Sequence, residues 1–375
     1  MEFLFFAFIL MGVAIFHKYT LQIALAGLAI IIAYKLFFVA HFNLIEHLNL
    51  EWKGLLNLFG LLLGFAILAK HFQESKLPDK LPHYLPDDWK GPFLLLIMIM
   101  FISAFLDNIA AAIIGGSIAF VIFKEKVHIG YLVAIVAASN AGGAGSVLGD
   151  TTTTMMWING IKATSVLHAY IAVIPAVLIF GIIASFQQDK YQRIMKDSLP
   201  GIHIDWKKLV VVFLILVGAI LSNIYFNFPA IGVWLAISIG AFFTKTHWQE
   251  ATKAISGALF LLALVLCASM MPVDQLPIAS WQTTFGMGFI SAVFDNIPLT
   301  KLALTQGGFD WGMLAYTVGF GGSMIWFGSS AGVALANMYP ETKSVGAWIK
   351  NGWHVVLAYV IGFFIMLEVL GWHPQ

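Results

Sequence analysis

The chain is patterned as long, nearly unbroken apolar runs rather than as alternating hydrophobic and polar positions. A bilayer core of about 30 Å asks for about 20 apolar residues per helix. Such runs occur at roughly 3–16, 20–40, 54–69, 164–186, 209–226, 230–244, 254–271 and 349–370, and they predict crossing helices. Residues 41–53 mix charged and apolar positions and read as an amphipathic interfacial connector. Three further apolar stretches, 93–123, 129–159 and 279–339, do not fit a simple crossing. As one helix, 93–123 would be about 46 Å long at 1.5 Å per residue, too long for one crossing and too short for two. Asp107-Asn108 stands at its middle, so the spacing predicts a re-entrant hairpin of two half-helices meeting at a polar tip. Irregular backbone at that depth is tolerated only where protein buries it or where it lines a cavity.

The tip recurs. Phe101-Ile-Ser-Ala-Phe-Leu-Asp-Asn-Ile-Ala110 returns as Phe289-Ile-Ser-Ala-Val-Phe-Asp-Asn-Ile-Pro298, with seven of ten positions identical. A second pair comes after it in the same order: Gly142-Gly143 with Gly149-Asp150-Thr151, and Gly321-Gly322 with Gly328-Ser329-Ser330. Ordinary glycine-mediated helix packing explains the glycines but not Asp-Asn twice at hydrocarbon depth. Each half reads as three spans, a hairpin, a glycine-interrupted helix and a last span. The hairpin crosses nothing, so five crossings per half force the halves into opposite orientation. The predicted fold is therefore an all-α polytopic membrane protein of two inverted-topology repeats, each with a re-entrant hairpin and a broken transmembrane helix. Residues 1–186 form the first repeat, with hairpin 93–123 and broken helix 129–159; 187–208 form a cytoplasmic linker. Residues 209–375 form the second repeat, with hairpin 279–305 and broken helix 311–339. Inverted repeats with discontinuous helices meeting near the midplane are a common architecture of secondary transporters.

Composition agrees with membrane residence. Of 375 residues, 60% are hydrophobic and 10% charged, against about 45–50% and about 25% in soluble domains. A net charge of +1 gives no basic field for nucleic acid. A single cysteine, Cys267, excludes an internal disulfide or a cysteine-built metal cluster. Met1-Glu2-Phe3 lacks the basic start of a signal peptide, so the first apolar stretch is expected to stay in the mature chain. With the N-terminus outside, the inner loops carry sixteen basic residues, from Lys18 and Lys70 through Lys196 and Lys253 to Lys350, and the outer loops only Lys53 and Lys162. That is a strong positive-inside bias. Loop 70–92, with Pro78, Pro82 and Pro86, then lies in the cytoplasm.

An ionised Asp at the centre of a membrane helix costs about 2.5–3.5 kcal/mol on insertion scales, so Asp107, Asp150 and Asp295 need something to offset them. A hard cation held by oxygen ligands would do so. Asn108 and Asn296 offer amides, Thr151, Thr152, Thr153, Ser329 and Ser330 hydroxyls, and unwound glycine segments backbone carbonyls. Taking a carboxylate out of water favours its neutral form, and such a group holds a proton or a metal cation but seldom both. With alternating access, that competition suffices for cation/proton exchange. Asp150, before a threonine run, also suits a helix cap. Lys301, six residues beyond Asp295, can act as a charge partner or reach the outer interface. His168 suits either a hydrogen-bonded structural role or a proton relay.

At Gly142-Gly-Ala-Gly-Ser-Val-Leu-Gly-Asp-Thr-Thr-Thr-Thr154 the sequence resembles the NhaD-type sodium/proton antiporters of the ion transporter superfamily, alongside citrate, dicarboxylate and arsenite carriers. The Asp-Asn tips and Gly321-Gly-Ser-Met-Ile-Trp-Phe-Gly-Ser-Ser-Ala-Gly332 look like the same family's other signatures. The resemblance runs from about residue 90 to the end. It implies cation and proton roles for Asp107, Asp150, Thr152, Thr153, Asp295, Ser329 and Ser330, and a homodimer in a bacterial-type cytoplasmic membrane. No cofactor is expected beyond the transported Na⁺ or Li⁺ and H⁺. Dicarboxylate carriers of the superfamily place Ser-Asn-Thr at each tip, whereas Asp107-Asn108-Ile109 and Asp295-Asn296-Ile297 put carboxylates there, which repel an organic anion and favour a cation.

The reading is thus a Na⁺(Li⁺)/H⁺ antiporter rather than an enzyme. The alternatives are a Na⁺-coupled dicarboxylate or citrate symporter, or an arsenite exporter. An intramembrane aspartyl protease is more remote. Two aspartates can share one proton, but the Gly-x-Gly-Asp context fails because position 147 is Val.

Overall fold

The computed structural model describes residues 1–16, 19–40, 42–195 and 201–375, and among these every regular element is helical. The expectations for Lys18, His41 and Lys196, and for residues 196–200 of the linker, fall outside the described residues.

The first helices are α1 (Glu2–Ile15), α2 (Thr20–Phe38) and α3 (Leu44–Glu74). Glu2 and Lys35 pair at 2.9 Å across α1 and α2. The connector expected at 41–53 is not a separate segment, because α3 starts at Leu44 and runs 31 residues without a break. Asn43 starts it, its side-chain oxygen accepting from Ile45 N at 3.0 Å and Glu46 N at 3.3 Å, and no proline interrupts the helix along its length. Next come the short α4 (Leu77–Lys80), α5 (Lys90–Ser103), α6 (Asn108–Ile122), α7 (Ile129–Ala144), α8 (Thr151–Ile158), the short α9 (Ala163–Leu167) and α10 (Tyr170–Tyr191). The second half contains α11 (Trp206–Phe226), α12 (Pro229–Gly240), α13 (Gln249–Ser269), α14 (Trp281–Ser291), α15 (Asn296–Gln306), α16 (Trp311–Gly321), α17 (Ser330–Met338) and α18 (Val345–Leu370).

Among the described residues, six helical stretches are long and apolar enough to cross a bilayer: Thr20–Phe38, Leu44–Glu74, Ala163–Tyr191, Trp206–Phe226, Gln249–Ser269 and Val345–Leu370. Their outward faces are greasy. Phe37 is 82% exposed and Phe242, beyond α12, 87%. Aromatic surface on that scale suits lipid, not water, and the chain is a polytopic membrane protein.

The core is built around two helices. All of α16, and nearly all of α7, is buried. The two pack on each other, with Gly319 of α16 against Ala144 of α7. Around them stand α5, α6, α10, α14, α17 and α18. Arms also cross between the halves: α6 lies against α17, and α15 against α8. The C-terminal ends of α7 and α16 are thereby brought to the tips at Asp107 and Asp295.

Candidate functional site

Both copies of the repeated motif adopt the same local geometry. Asp107 and Asp295 stand immediately before α6 and α15 with φ/ψ of −50°/139° and −52°/139°. Asp150 and Ser329 stand immediately before α8 and α17 with −147°/144° and −141°/152°. Matching residues tie each arm to its neighbouring helix: Ser103 Oγ donates to the Ser139 carbonyl, and Ser291 Oγ to the Val318 carbonyl at 2.7 Å. Gly142 lies against the Met100 carbonyl and Gly321 against the Gly288 carbonyl, so close that a Cβ at either would collide with backbone. Only glycine admits this approach, which is why the Gly-Gly pair recurs in both copies.

At the centre is Asp150, 4% exposed. Its Oδ1 accepts from Asn108 Nδ2 at 2.9 Å, and its Oδ2 accepts from the Thr152 hydroxyl and from Asn296 Nδ2 at 3.4 Å. Both tip asparagines, one from each copy, therefore bond the same carboxylate. Asn140 extends the network. Its Oδ1 accepts from Asn108 at 3.1 Å, and its Nδ2 donates to Ser323 Oγ and Ser329 Oγ, each at 3.0 Å. Asp295 accepts from Ile297 N at 3.0 Å and lines a cavity together with Ser330.

Two cavities meet this network, one at each tip. One, of about 550 Å³, is lined by Asp107, Asp150, Thr151 and Thr154 and reaches Glu250 and Lys253 at the start of α13. The other, of about 350 Å³, is lined by Asp295 and Ser330 and reaches Val13, Thr20 and Asn337. Ile109 lines both. The three carboxylates thus do not share one pocket; Asp107 and Asp150 line the first and Asp295 the second, while the asparagines beside both tips bond Asp150.

Not every expected residue joins them. The Thr153 hydroxyl donates to the Ser146 carbonyl at 2.6 Å and the Asp150 carbonyl at 2.9 Å, pinning the break in the backbone rather than facing a carboxylate side chain. Lys301 is not paired with a site aspartate: Glu51 of α3 holds its ammonium, both carboxylate oxygens at 2.8 Å. His168 is exposed at the end of α9, away from the network. The sequence reading missed Asn140, Ser323 and Glu51. Asn140 carried the same signal as the aspartates, a polar side chain in an alanine-rich helix two residues before Gly142-Gly143.

Among the described residues no cation pairs with Asp107, Asp150 or Asp295, and no three His, Cys, Asp or Glu side chains cluster as a metal cage. What the site offers a positive ion is carboxylate together with hydroxyl and amide oxygen.

The chain matches the citrate transporter family, CitMHS, over residues 3–321. It is similar to Sodium/proton antiporter 1 of Arabidopsis thaliana, 27% identical over 282 residues, which cover 64% of this chain and 48% of that protein. The chain therefore spans about half the length of that relative. It is also similar to Na(+)/H(+) antiporter NhaD of Vibrio cholerae, 24% identical over 324 residues, 71% of this chain and 68% of that one. With NhaD of Vibrio parahaemolyticus it is 25% identical over 357 residues, 78% and 84% of the two chains. A membrane-spanning chain with this match belongs to the citrate transporter family, within the ion transporter superfamily and alongside the NhaD-type antiporters.

Proposed function

We propose that the chain exchanges Na⁺ or Li⁺ for protons by alternating access to the carboxylates around Asp150. The observation that carries this is the convergence of Asn108 and Asn296, one from each copy, on that one buried carboxylate. The names of its relatives support the same reading. In this reading 1–186 and 209–375 are inverted repeats joined by a cytoplasmic linker. Residues 93–123 and 279–305 are re-entrant hairpins, and 129–159 and 311–339 are broken helices. The protein works as a homodimer in a bacterial-type cytoplasmic membrane, N-terminus outside.

The cation's ligands are Asp107, Asp150 and Thr151, which line one cavity together. Asn108, Thr152 and Asn296 orient Asp150; Asp295 and Ser330 form the second station. Cation binding to a carboxylate excludes a proton from it, so binding releases protons and tightens as pH rises. Binding from one face and release to the other then couples the two gradients. A citrate-like substrate fits poorly, because its carboxylates would meet Asp107 and Asp150 in one cavity, and Lys253 at the mouth of that cavity is already held by Glu250 at 2.8 Å.

Na⁺ added to everted vesicles carrying the protein should dequench an acid-trapped pH dye. No response from neutral to alkaline pH, with protein present in the membrane, overturns the proposal; Na⁺-dependent uptake of labelled citrate or succinate would replace it with symport.

A further inference from the structure

Glu2, Lys35, His47 and Ser269 mark one end of the helices. Lys35 pairs with Glu2 and lies over the Phe42 ring, that ring lies beside His47, and His47 bonds Ser269 at 2.9 Å. Val13, Thr20, Ala69, Glu250 and Lys253 sit at the far ends of the same helices, so both cavities at the carboxylates open toward that opposite face.

Toward the Glu2–Ser269 face the way is shut in two layers. The first is a buried cluster of Leu58, Met155, Val265 and Ile297, of which Ile297 is one residue beyond the Asn296 tip. The second is the Lys301–Glu51 pair. Lys301 is 6% exposed, and Glu51 precedes Leu58 on α3 by seven residues, about 10 Å. The pair borders a small cavity of about 240 Å³ that is also lined by Lys53, Asn159 and Asn227.

We infer that Lys301 and Glu51 form a latch that closes the site toward this face. The inference rests on the alternating-access reading above. α15 carries the second tip, and the Lys301–Glu51 pair ties it to α3. Opening this face separates the two helices, which uncovers the apolar cluster and breaks a pair whose members are otherwise stranded out of water. The internal repeat gives an independent argument. Lys301 matches Ile113 of the first copy, and Ile113 lines the cavity that is open here. When the second copy takes the first copy's conformation, Lys301 therefore lines an open vestibule. Its charge is hydrated there and no longer needs Glu51, so the pair holds one state and does not oppose the other.

The test is thiol accessibility at Met155→Cys, in the plug beneath the latch; the native Cys267 is buried and gives a low background. A membrane-impermeant maleimide is applied from the Lys301 face. Lys301→Met and Glu51→Gln should each raise the labelling rate by about tenfold or more. The exchanged pair, Glu51→Lys with Lys301→Glu, should return it toward the parent rate, which also shows that the fold survives. Labelling unchanged in the single variants, or as fast in the exchanged pair as in the singles, overturns the latch. Labelling needs no ion gradient, so a protein that fails the Na⁺ assay still reports whether the latch exists.

Discussion

The two copies of the motif share a backbone and differ in charge. The first places Asp107 at its tip and Asp150 at its break; the second places Asp295 at its tip and Ser329 at the position of Asp150. Equivalent dihedrals, serine ties and glycine contacts show that helix geometry has been kept on both sides. Electrostatics explains why charge has not. A fourth carboxylate at position 329 would face Asp150 through the shared asparagines, and like charges there oppose each other's ionisation. Ser329 instead gives Asn140 a neutral acceptor at 3.0 Å. One copy supplies the central charge, and both supply the amides that hold it.

That asymmetry predicts unequal consequences for equivalent substitutions. Asp150→Asn carries the largest effect. It removes the central charge and replaces one of the two oxygens that accept from Asn108, Thr152 and Asn296 with a donor, so exchange in vesicles should vanish and Na⁺ should no longer raise thermal stability. In the parent protein the stabilisation should be about 2.7 kcal/mol at a hundredfold excess over Kd, and at a fixed Na⁺ concentration it should grow with pH because protons and Na⁺ compete. Full Na⁺ stabilisation surviving in this variant would remove Asp150 from the site. The tips come next. Asp107 shares a cavity with Asp150 and Asp295 does not. Asp107→Asn should therefore weaken apparent Na⁺ affinity by about tenfold or more, an interaction of about 1.4 kcal/mol, and Asp295→Asn by less. Equal losses would mean that the two cavities act as one.

What is legible in the sequence divides along the same line. Glycine pairs and Asp-Asn tips announce themselves because each breaks the apolar pattern in which it sits, and they fall where the helices stop. Asn140 breaks it too, but a single amide inside a helix has no spacing to mark it, and only the fold brings it to Asn108 and Ser329. Lys301 is visible as a charge, yet its partner Glu51 lies 250 positions away, a separation that no local pattern encodes. The connector at 41–53 misleads because its charges suggest an interface, while the Asn43 cap and the absence of proline carry the helix straight through.

Smaller effects test whether the shared geometry is equally important in both copies. Gly142→Ala and Gly321→Ala each drive a methyl into a backbone carbonyl of the adjoining arm. Over-packing of this kind costs about 1–3 kcal/mol, and thermal unfolding of the two variants should drop by similar amounts. A large drop in one alone would show that only that arm is rigidly seated.

The smallest expected change is that of Ser329→Ala. The hydroxyl accepts from Gly332 N at 3.2 Å, capping α17, and from Asn140 at 3.0 Å. Losing a cap costs about 1 kcal/mol. Leaving a buried donor unpaired costs about 1–3 kcal/mol, but Asn140 keeps its bond to Ser323, so the total should stay near 1–2 kcal/mol. If Ser329 only orients Asn140 and caps the helix, Na⁺ affinity should hold within about threefold, less than 1 kcal/mol, while stability falls. Should affinity fall as far as in Asp107→Asn, Ser329 touches the cation directly, and the second copy contributes ligands where the geometry assigns it support.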